Sequence, residues 1–170
     1  VTELRLRPLR LDDEPEAVRA HDELAVDGFD FLQLWQPGDD WASLVERYAA
    51  IRCGRDLPER FVPSSFLVAE VGGVLVGRVS VRHELNDWLA RFGGHIGYAV
   101  RPGHRRRGHA TEMLRQSLVV ARAVGVDRAL VTCDDDNLAS AATIERCGGV
   151  LDSVVDVDGA EVKKRRYWID

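Results

Sequence analysis

One stretch constrains this chain more than any other: Gly97-Tyr98-Ala99-Val100-Arg101-Pro102-Gly103-His104-Arg105-Arg106-Arg107-Gly108-His109-Ala110-Thr111-Glu112-Met113-Leu114. His95–Val100 reads as a strand, Arg101-Pro102-Gly103 ends it, and Gly108 opens a helical pattern running to Ala123. Met113, Leu114, Leu118 and Ala121 recur at the spacing of one buried helix face. The first amides of a helix have no internal partner, and the helix dipole adds partial positive charge there. A strand–loop–helix junction with small residues at the helix start is therefore suited to a pyrophosphate. Gly108 admits a phosphate close to the backbone, and Ala110 is nearly as permissive. Arg105, Arg106 and Arg107 can add charge-assisted bonds, including to a 3′-phosphate on an adenosine.

The rest of the chain supplies a frame for that junction. Leu4, Leu6 and Leu9 alternate with charge as a first strand. Asp12-Asp13-Glu14-Pro15 starts a helix expected to reach Ala25. An irregular Gly28–Gly38 segment leads to a second helix over Trp41–Cys53, with Trp41, Leu44, Val45, Tyr48 and Ile51 on one face. Strands Phe66–Val71 and Leu75–Val81 meet at Gly72-Gly73, a hairpin turn signal. A short helix is expected over Leu85–Phe92, a strand over Arg128–Cys133 and a helix over Leu138–Cys147. Val150–Val157 and Glu161–Ile169 read as a closing hairpin turned at Asp158-Gly159. No repeat or linker divides the chain, so 1–170 is expected to be a single domain of the α/β class with a mixed sheet.

Composition excludes several alternatives. No apolar run approaches the roughly 20 residues of a membrane helix, and the charged, alternating first residues do not resemble a signal peptide. Cys53, Cys133 and Cys147 are odd in number and show no metal-type spacing, which fits free thiols in the cytoplasm and no metal. A net charge of −5 argues against a dedicated nucleic-acid binder, as does the lack of aromatics among the arginines of the 101–107 cluster. A P-loop would need Gly-Lys-Ser/Thr at the end of the loop, and a Rossmann site Gly-x-Gly-x-x-Gly; both are missing.

Arg105, Gly108 and Ala110 match the Arg/Gln-x-x-Gly-x-Gly/Ala signature of the GNAT N-acetyltransferase superfamily, which this chain resembles from about Ser65 to Asp170. The context carries the resemblance: a strand, Val100-Arg101-Pro102, the signature, a helix, a second strand and Asn137-Leu138-Ala139-Ser140. Arg82–Asn86, Gly93–Tyr98 and Thr132–Asn137 are similar to a bacterial subgroup of predicted acetyltransferases. The resemblance implies a mostly antiparallel sheet of six to seven strands flanked by about four helices. It implies acetyl-CoA held by the amides of 105–111 and by Ala99, Val100, Arg105, Arg106, Arg107, Gly108, His109, Ala110, Thr111, Asn137 and Ser140. The pantetheine would run between the strands near 98–100 and 131–134. The implied reaction is direct attack of an acceptor's amine on the thioester in a ternary complex, with a non-catalytic CoA-binding sensor as the alternative.

Such a reaction uses a base for an alkyl amine of pKa ~10.4, an oxyanion donor such as a strand amide near Ala99–Val100, and an outlet for a thiolate of pKa ~8.5. The family's usual tyrosine acid falls at Ile144 here, leaving Tyr98, Tyr167 or water. His95 stands near a common family glutamate and, with a pKa near ~6.5, is the first candidate base; His83 and Glu84 are next. Asp134–Asp136 could form an acidic wall or a solvated turn, Cys133 reads as a core thiol, and His104 and His109 as surface residues of the loop. Phe29, Phe31, Trp35 and Trp41 fall where GNAT folds cap the acceptor site, to line a pocket or to pack. The final hairpin, with Trp168 and Ile169, is a candidate homodimer surface.

Overall fold

β2 (Ser64–Val71) and β3 (Val74–Arg82) are buried along most of their length on both faces, so the sheet containing them must be covered on both sides. The computed structural model describes residues 3–170; Val1 and Thr2, the start of the alternating N-terminal segment, lie outside the described residues. In chain order the other elements are β1 (Arg5–Pro8), α1 (Glu14–Ala25), α2 (Trp41–Arg52), β4 (Ile96–Val100), α3 (His109–Ala123), β5 (Ala129–Asp134), α4 (Leu138–Arg146), β6 (Val150–Val155) and β7 (Lys164–Ile169). They form one α/β unit with a seven-stranded sheet ordered β1-β2-β3-β4-β5-β7-β6. Every pairing is antiparallel except β4 with β5.

One face of the sheet offers Phe66, Val68 and Leu75 to α1 and α2, where Ala17, Ala20, Leu24, Trp41, Leu44 and Tyr48 complete a core. The other offers Leu67, Ala69 and Val79 to Met113, and Val81, Ile96 and Val131 to Leu114, Leu118, Ala121 and Ile144. The α3 face read from the sequence is thus the buried one. Gly72 and Gly73, at φ 59 and 83, supply the left-handed pair that a two-residue hairpin turn requires. The outer edge of β1 is closed by the Gln116 side chain, which accepts from the Leu6 amide at 3.1 Å and donates to the Leu4 carbonyl at 2.8 Å.

Two expectations about elements are corrected. The helix expected over Leu85–Phe92 begins later and is a π-helical turn, Leu89–Gly93. Asn86 Oδ1 accepts from the Leu89 amide at 2.9 Å, and the Gly94 amide reaches back to the Leu89 carbonyl at 2.7 Å. The closing hairpin is not a tight turn at Asp158-Gly159, because β6 stops at Val155 and β7 starts at Lys164. The dipeptide still forms a turn, with the Ala160 amide donating to the Val157 carbonyl at 3.0 Å, but at the tip of a wider loop. β5 ends at Asp134 opposite Lys164, and past that point a lone two-stranded ribbon has little to hold it.

Buried ion pairs tie the first strand and helix to the sheet. Arg7 meets Asp13 through two bonds of 2.7 Å and Glu70 through one of 2.6 Å, with Arg7 and Asp13 each 7% exposed. Arg101 is also turned inward, bonding Glu23 at 2.8 Å, Glu16 at 3.1 Å and the Leu75 carbonyl at 2.7 Å. It is therefore a brace for α1 and no part of an exposed basic cluster.

Candidate active site

The parallel pair β4–β5 opens almost as soon as it forms. Its register holds one Cα pair, Ile96 with Val131. At the closed end, the His95 amide donates to the Leu130 carbonyl at 2.7 Å. Farther along, β4 stays paired with β3 alone. The Arg82 amide bonds the His95 carbonyl and the Arg101 amide bonds the Val76 carbonyl. Strand alternation then turns the main chain of Gly97 and Ala99 toward β3, and that of Tyr98 and Val100 toward the gap. Of the expected Ala99–Val100 stretch, the amide of Val100 faces the gap, as does that of Tyr98, while that of Ala99 is turned to β3.

A cleft of about 990 Å³ follows that gap. Its far end is the junction read from the sequence. Pro102–His104 forms a single 3-10 turn, Arg105 is extended, Arg106 is left-handed at φ 62, and Gly108 caps α3 at φ 81. The Glu112 amide is the first to find a partner within the helix, the Gly108 carbonyl. The amides of His109, Ala110 and Thr111 are therefore left for a ligand, and all three residues line the cleft. Arg105 and Arg106 line it as well, while Arg107 does not and points to solvent. Arg105 is engaged elsewhere, with Asp27 at 2.6 Å and the Val100 carbonyl at 3.1 Å, and so clips the end of α1 to β4. Arg106 and Arg146, which both line the cleft, have no carboxylate partner among the described residues, so both are available to a phosphate.

Nearer the gap the cleft is lined by Tyr98, Ala99, Val100, Asn137 and Ser140. Asn137 caps α4 by accepting from the Ser140 amide at 3.1 Å, and the Ser140 hydroxyl lies 2.8 Å from the Tyr98 hydroxyl. Burial pushes the Tyr98 phenol up to about 12 against the Ser140 bond, so it stays protonated at neutral pH.

The Acetyltransferase (GNAT) domain model matches residues 3–150. The chain belongs to the GNAT acetyltransferases. No curated protein sequence matches it. Among solved GNAT structures, it is similar to the microcin C7 self-immunity acetyltransferase in complex with acetyl-CoA and AMP, at a TM-score of 0.69 and 18% identity over 98% of this chain and 92% of that one. It is also similar to the ribosomal L7/L12 alpha-N-protein acetyltransferase in complex with coenzyme A, at 0.69 and 16% over 99% and 94%. An N-acetyltransferase from Staphylococcus aureus Mu50 aligns at 0.67 and 15% over 99% of both chains.

Against this GNAT frame, both candidate histidine bases stand outside the cleft. His95 is 8% exposed, and its Nδ1 accepts from the Leu130 amide at 2.9 Å. Burial, then the Arg82 charge, lowers its pKa, so the ring is neutral with its proton on Nε2, and it pins β4 to β5 where the gap begins. His83 Nε2 lies 2.9 Å from the Ser65 hydroxyl, and burial, then Arg52, lowers its pKa against Glu84. A His95→Ala variant is expected to orphan the Leu130 amide and cost about 1–3 kcal/mol, with acetyl-CoA affinity within about twofold of wild type. Thermal melts and calorimetry check this; an unchanged melt with lost turnover would return His95 to the role of base.

Other candidates resolve by contact. Tyr167 is fully buried and donates to Glu145 at 3.1 Å, and Ile144 is core. Cys133 is buried, and burial raises its thiol pKa, as for a packing residue. Asp134 and Asp135 do not form an open acidic wall, because they pair with Lys164 at 2.5 Å and Arg165 at 2.6 Å. Phe31 and Trp41 are core, whereas Phe29 lines the cleft beneath Arg78, whose guanidinium carbon is 4.5 Å from its ring centre. Ile169 is core, and Trp168 lies under Arg128, 5.0 Å from its ring centre.

A second cavity, of about 610 Å³, went unread in the sequence. It lies on the α1–α2 face, over Ser64, Ser80 and Arg82, and is walled by Phe61, Val62 and Leu89. The polar positions Arg78, Ser80 and Arg82 of β3 were its one signal, three alternate residues among apolar ones.

Proposed function

We propose that this chain is an acetyl-CoA-dependent N-acetyltransferase that moves an acetyl group directly onto an acceptor amine. One observation carries the reading: the free amides of α3, the unpaired cation of Arg106 and the open β4–β5 gap share a single cleft. Membership of the GNAT family supports it, as do similar structures solved with acetyl-CoA or coenzyme A. Acetyl-CoA supplies the activated acyl group.

The amides of Gly108–Thr111 bind the pyrophosphate, and Arg106 adds charge toward the nucleotide end. Asn137 and Ser140 shape the wall beside the pantetheine. The amide of Tyr98 or Val100 receives the thioester oxygen as negative charge develops there. The acceptor nitrogen forms its bond to the carbonyl carbon and loses a proton to water, the carbon–sulfur bond breaks, and Tyr98 protonates the departing thiolate. Ser140 orients that phenol through the 2.8 Å contact.

Calorimetry with acetyl-CoA and thiol release across a panel of amines tests the reading. Binding without turnover on any amine would favour the sensor alternative, and absence of binding would overturn both. Tyr98→Phe is expected to lower kcat about 10- to 100-fold with acetyl-CoA affinity nearly unchanged. This is a smaller loss than a full general acid often supplies, because thiolate is a tolerable leaving group. An equal loss in affinity would make Tyr98 a binding residue instead.

A further inference from the structure

The floor of the 610 Å³ cavity holds polar groups that the protein itself does not satisfy. Ser80 is 3% exposed, and its hydroxyl has no hydrogen-bond partner among the described residues. Two positions along β3, Arg82 is half-buried and forms no ion pair among the described residues. Its Nη1 makes long bonds to the carbonyls of Gly93 and Gly94, at 3.3 and 3.4 Å. Nε and Nη2, which form one flat edge of the guanidinium, have no protein partner there. These donors face the cavity rather than closed protein, and are free to meet a ligand there.

Arg78, two positions before Ser80, shows what a satisfied arginine looks like on this face. It is 3% exposed and donates to the carbonyls of Asp30 at 2.6 Å and Phe31 at 3.2 Å. Arg82 is thus the cation left over. Among the residues lining the cavity, Arg60 is splayed into solvent and Asp87, also exposed, is the one carboxylate, so neither neutralises the floor.

The position of Arg82 relates the floor to the reaction centre. Its guanidinium lies across Gly97, where a β-carbon would stand 3.2 Å from Nη1 and 3.5 Å from Nη2. The gap begins at the next residue, Tyr98, and strand residues are about 3.3 Å apart. An anion on Arg82 would hold an amine attached one to two atoms away within about 3–7 Å of the gap.

We infer that the cavity binds an acceptor with an apolar body and a carboxylate close to its reactive amine, in the manner of an amino acid, the carboxylate resting on Arg82 and Ser80. The two free donors of Arg82 match the two oxygens of a carboxylate side by side, and the Ser80 hydroxyl donates to one of them. Phe61, Val62 and Leu89 receive the apolar body. The inference rests on the acetyltransferase reading for the identity of the amine as acceptor, but the anion site can be tested apart from it.

The product-like pairs N-acetylleucine and N-acetylleucinamide, and N-acetylphenylalanine and its amide, are titrated into the protein with and without coenzyme A. At least one acid is expected to bind ten-fold or more tighter than its amide. Arg82→Gln is expected to bring acid and amide to parity, and Ser80→Ala to narrow the difference, both with unchanged acetyl-CoA affinity. Parity in the wild type, or a preference that survives in Arg82→Gln, would overturn the inference. Phosphoethanolamine binding more tightly than every acid would overturn the carboxylate in favour of a phosphate. Selective acid binding without any acetyl transfer would uphold this site and count against the acetyltransferase reading alone.

Discussion

A Gly108→Asp variant is expected to lose acetyl-CoA affinity by about 100- to 1000-fold. Gly108 sits at φ 81, at the cap of α3 and on the wall of the cleft. No neighbour lies within 4 Å of where a β-carbon would be, so the empty protein has room for the new side chain. The loss would come from two other sources. A left-handed backbone costs an L-residue about 1–2 kcal/mol, at the low end for aspartate and asparagine. A carboxylate about 4 Å from a pyrophosphate charge is repelled by about 4 kcal/mol at the effective dielectric of a protein surface, before salt screening. Each 1.4 kcal/mol is about ten-fold in affinity. Gly108→Asn separates the two, because it has the same strain and nearly the same volume but no charge. It is expected to lose about ten-fold or less by calorimetry, and added salt should shrink the gap between the variants. Unchanged affinity in Gly108→Asp would remove the pyrophosphate from this loop.

The junction was legible because its chemistry is local. A strand end, a turn, a glycine and an amphipathic helix follow one another in sequence, and the structure brings His109, Ala110 and Thr111 to the cleft through helix geometry alone. The same holds for Gly72-Gly73 and for the buried face of α3. What the sequence concealed depends on distant partners. Arg101 looked like a member of the basic cluster, but Glu16 and Glu23 claim it from α1. Arg105 likewise gives part of its charge to Asp27. His95 carries the right side chain for a base, yet the Leu130 amide on the neighbouring strand occupies its Nδ1. The second cavity was hidden for the same reason. On paper Arg78, Ser80 and Arg82 are the polar side of a half-exposed strand, and only the chain folded over them decides that Arg78 is satisfied and Arg82 is not.

Loss of Asp13 is expected to be the largest single blow to stability, about 3 kcal/mol for Asp13→Ala. Breaking a buried pair typically costs about 3–5 kcal/mol because the remaining charge is stranded. Here Arg7 would keep Glu70 at 2.6 Å and the Pro8 carbonyl at 3.1 Å, which places the loss at the lower end. Asp13 also accepts from the Arg10 amide at 2.7 Å, so its removal frees the turn that leads into α1. For a chain of this size each kcal/mol shifts the melting temperature by about 2–4 °C, giving a drop of about 6–12 °C. Replacing both partners by apolar residues, as in Arg7→Met with Asp13→Leu, should recover much of it, since no charge is then left buried. The pH dependence has a definite sign. Burial alone would raise the Asp13 carboxyl, but its bonds to Arg7 and to the Arg10 amide outweigh that and hold it below the ordinary value. A depressed carboxyl contributes its full stability above the unfolded pKa of about 3.9 and loses it as pH falls through the folded value. Wild type and Asp13→Ala should therefore differ most from neutral pH down to about 4, and converge in stronger acid. A difference that persisted undiminished in stronger acid would mean the ion pair contributes nothing and the loss is one of packing.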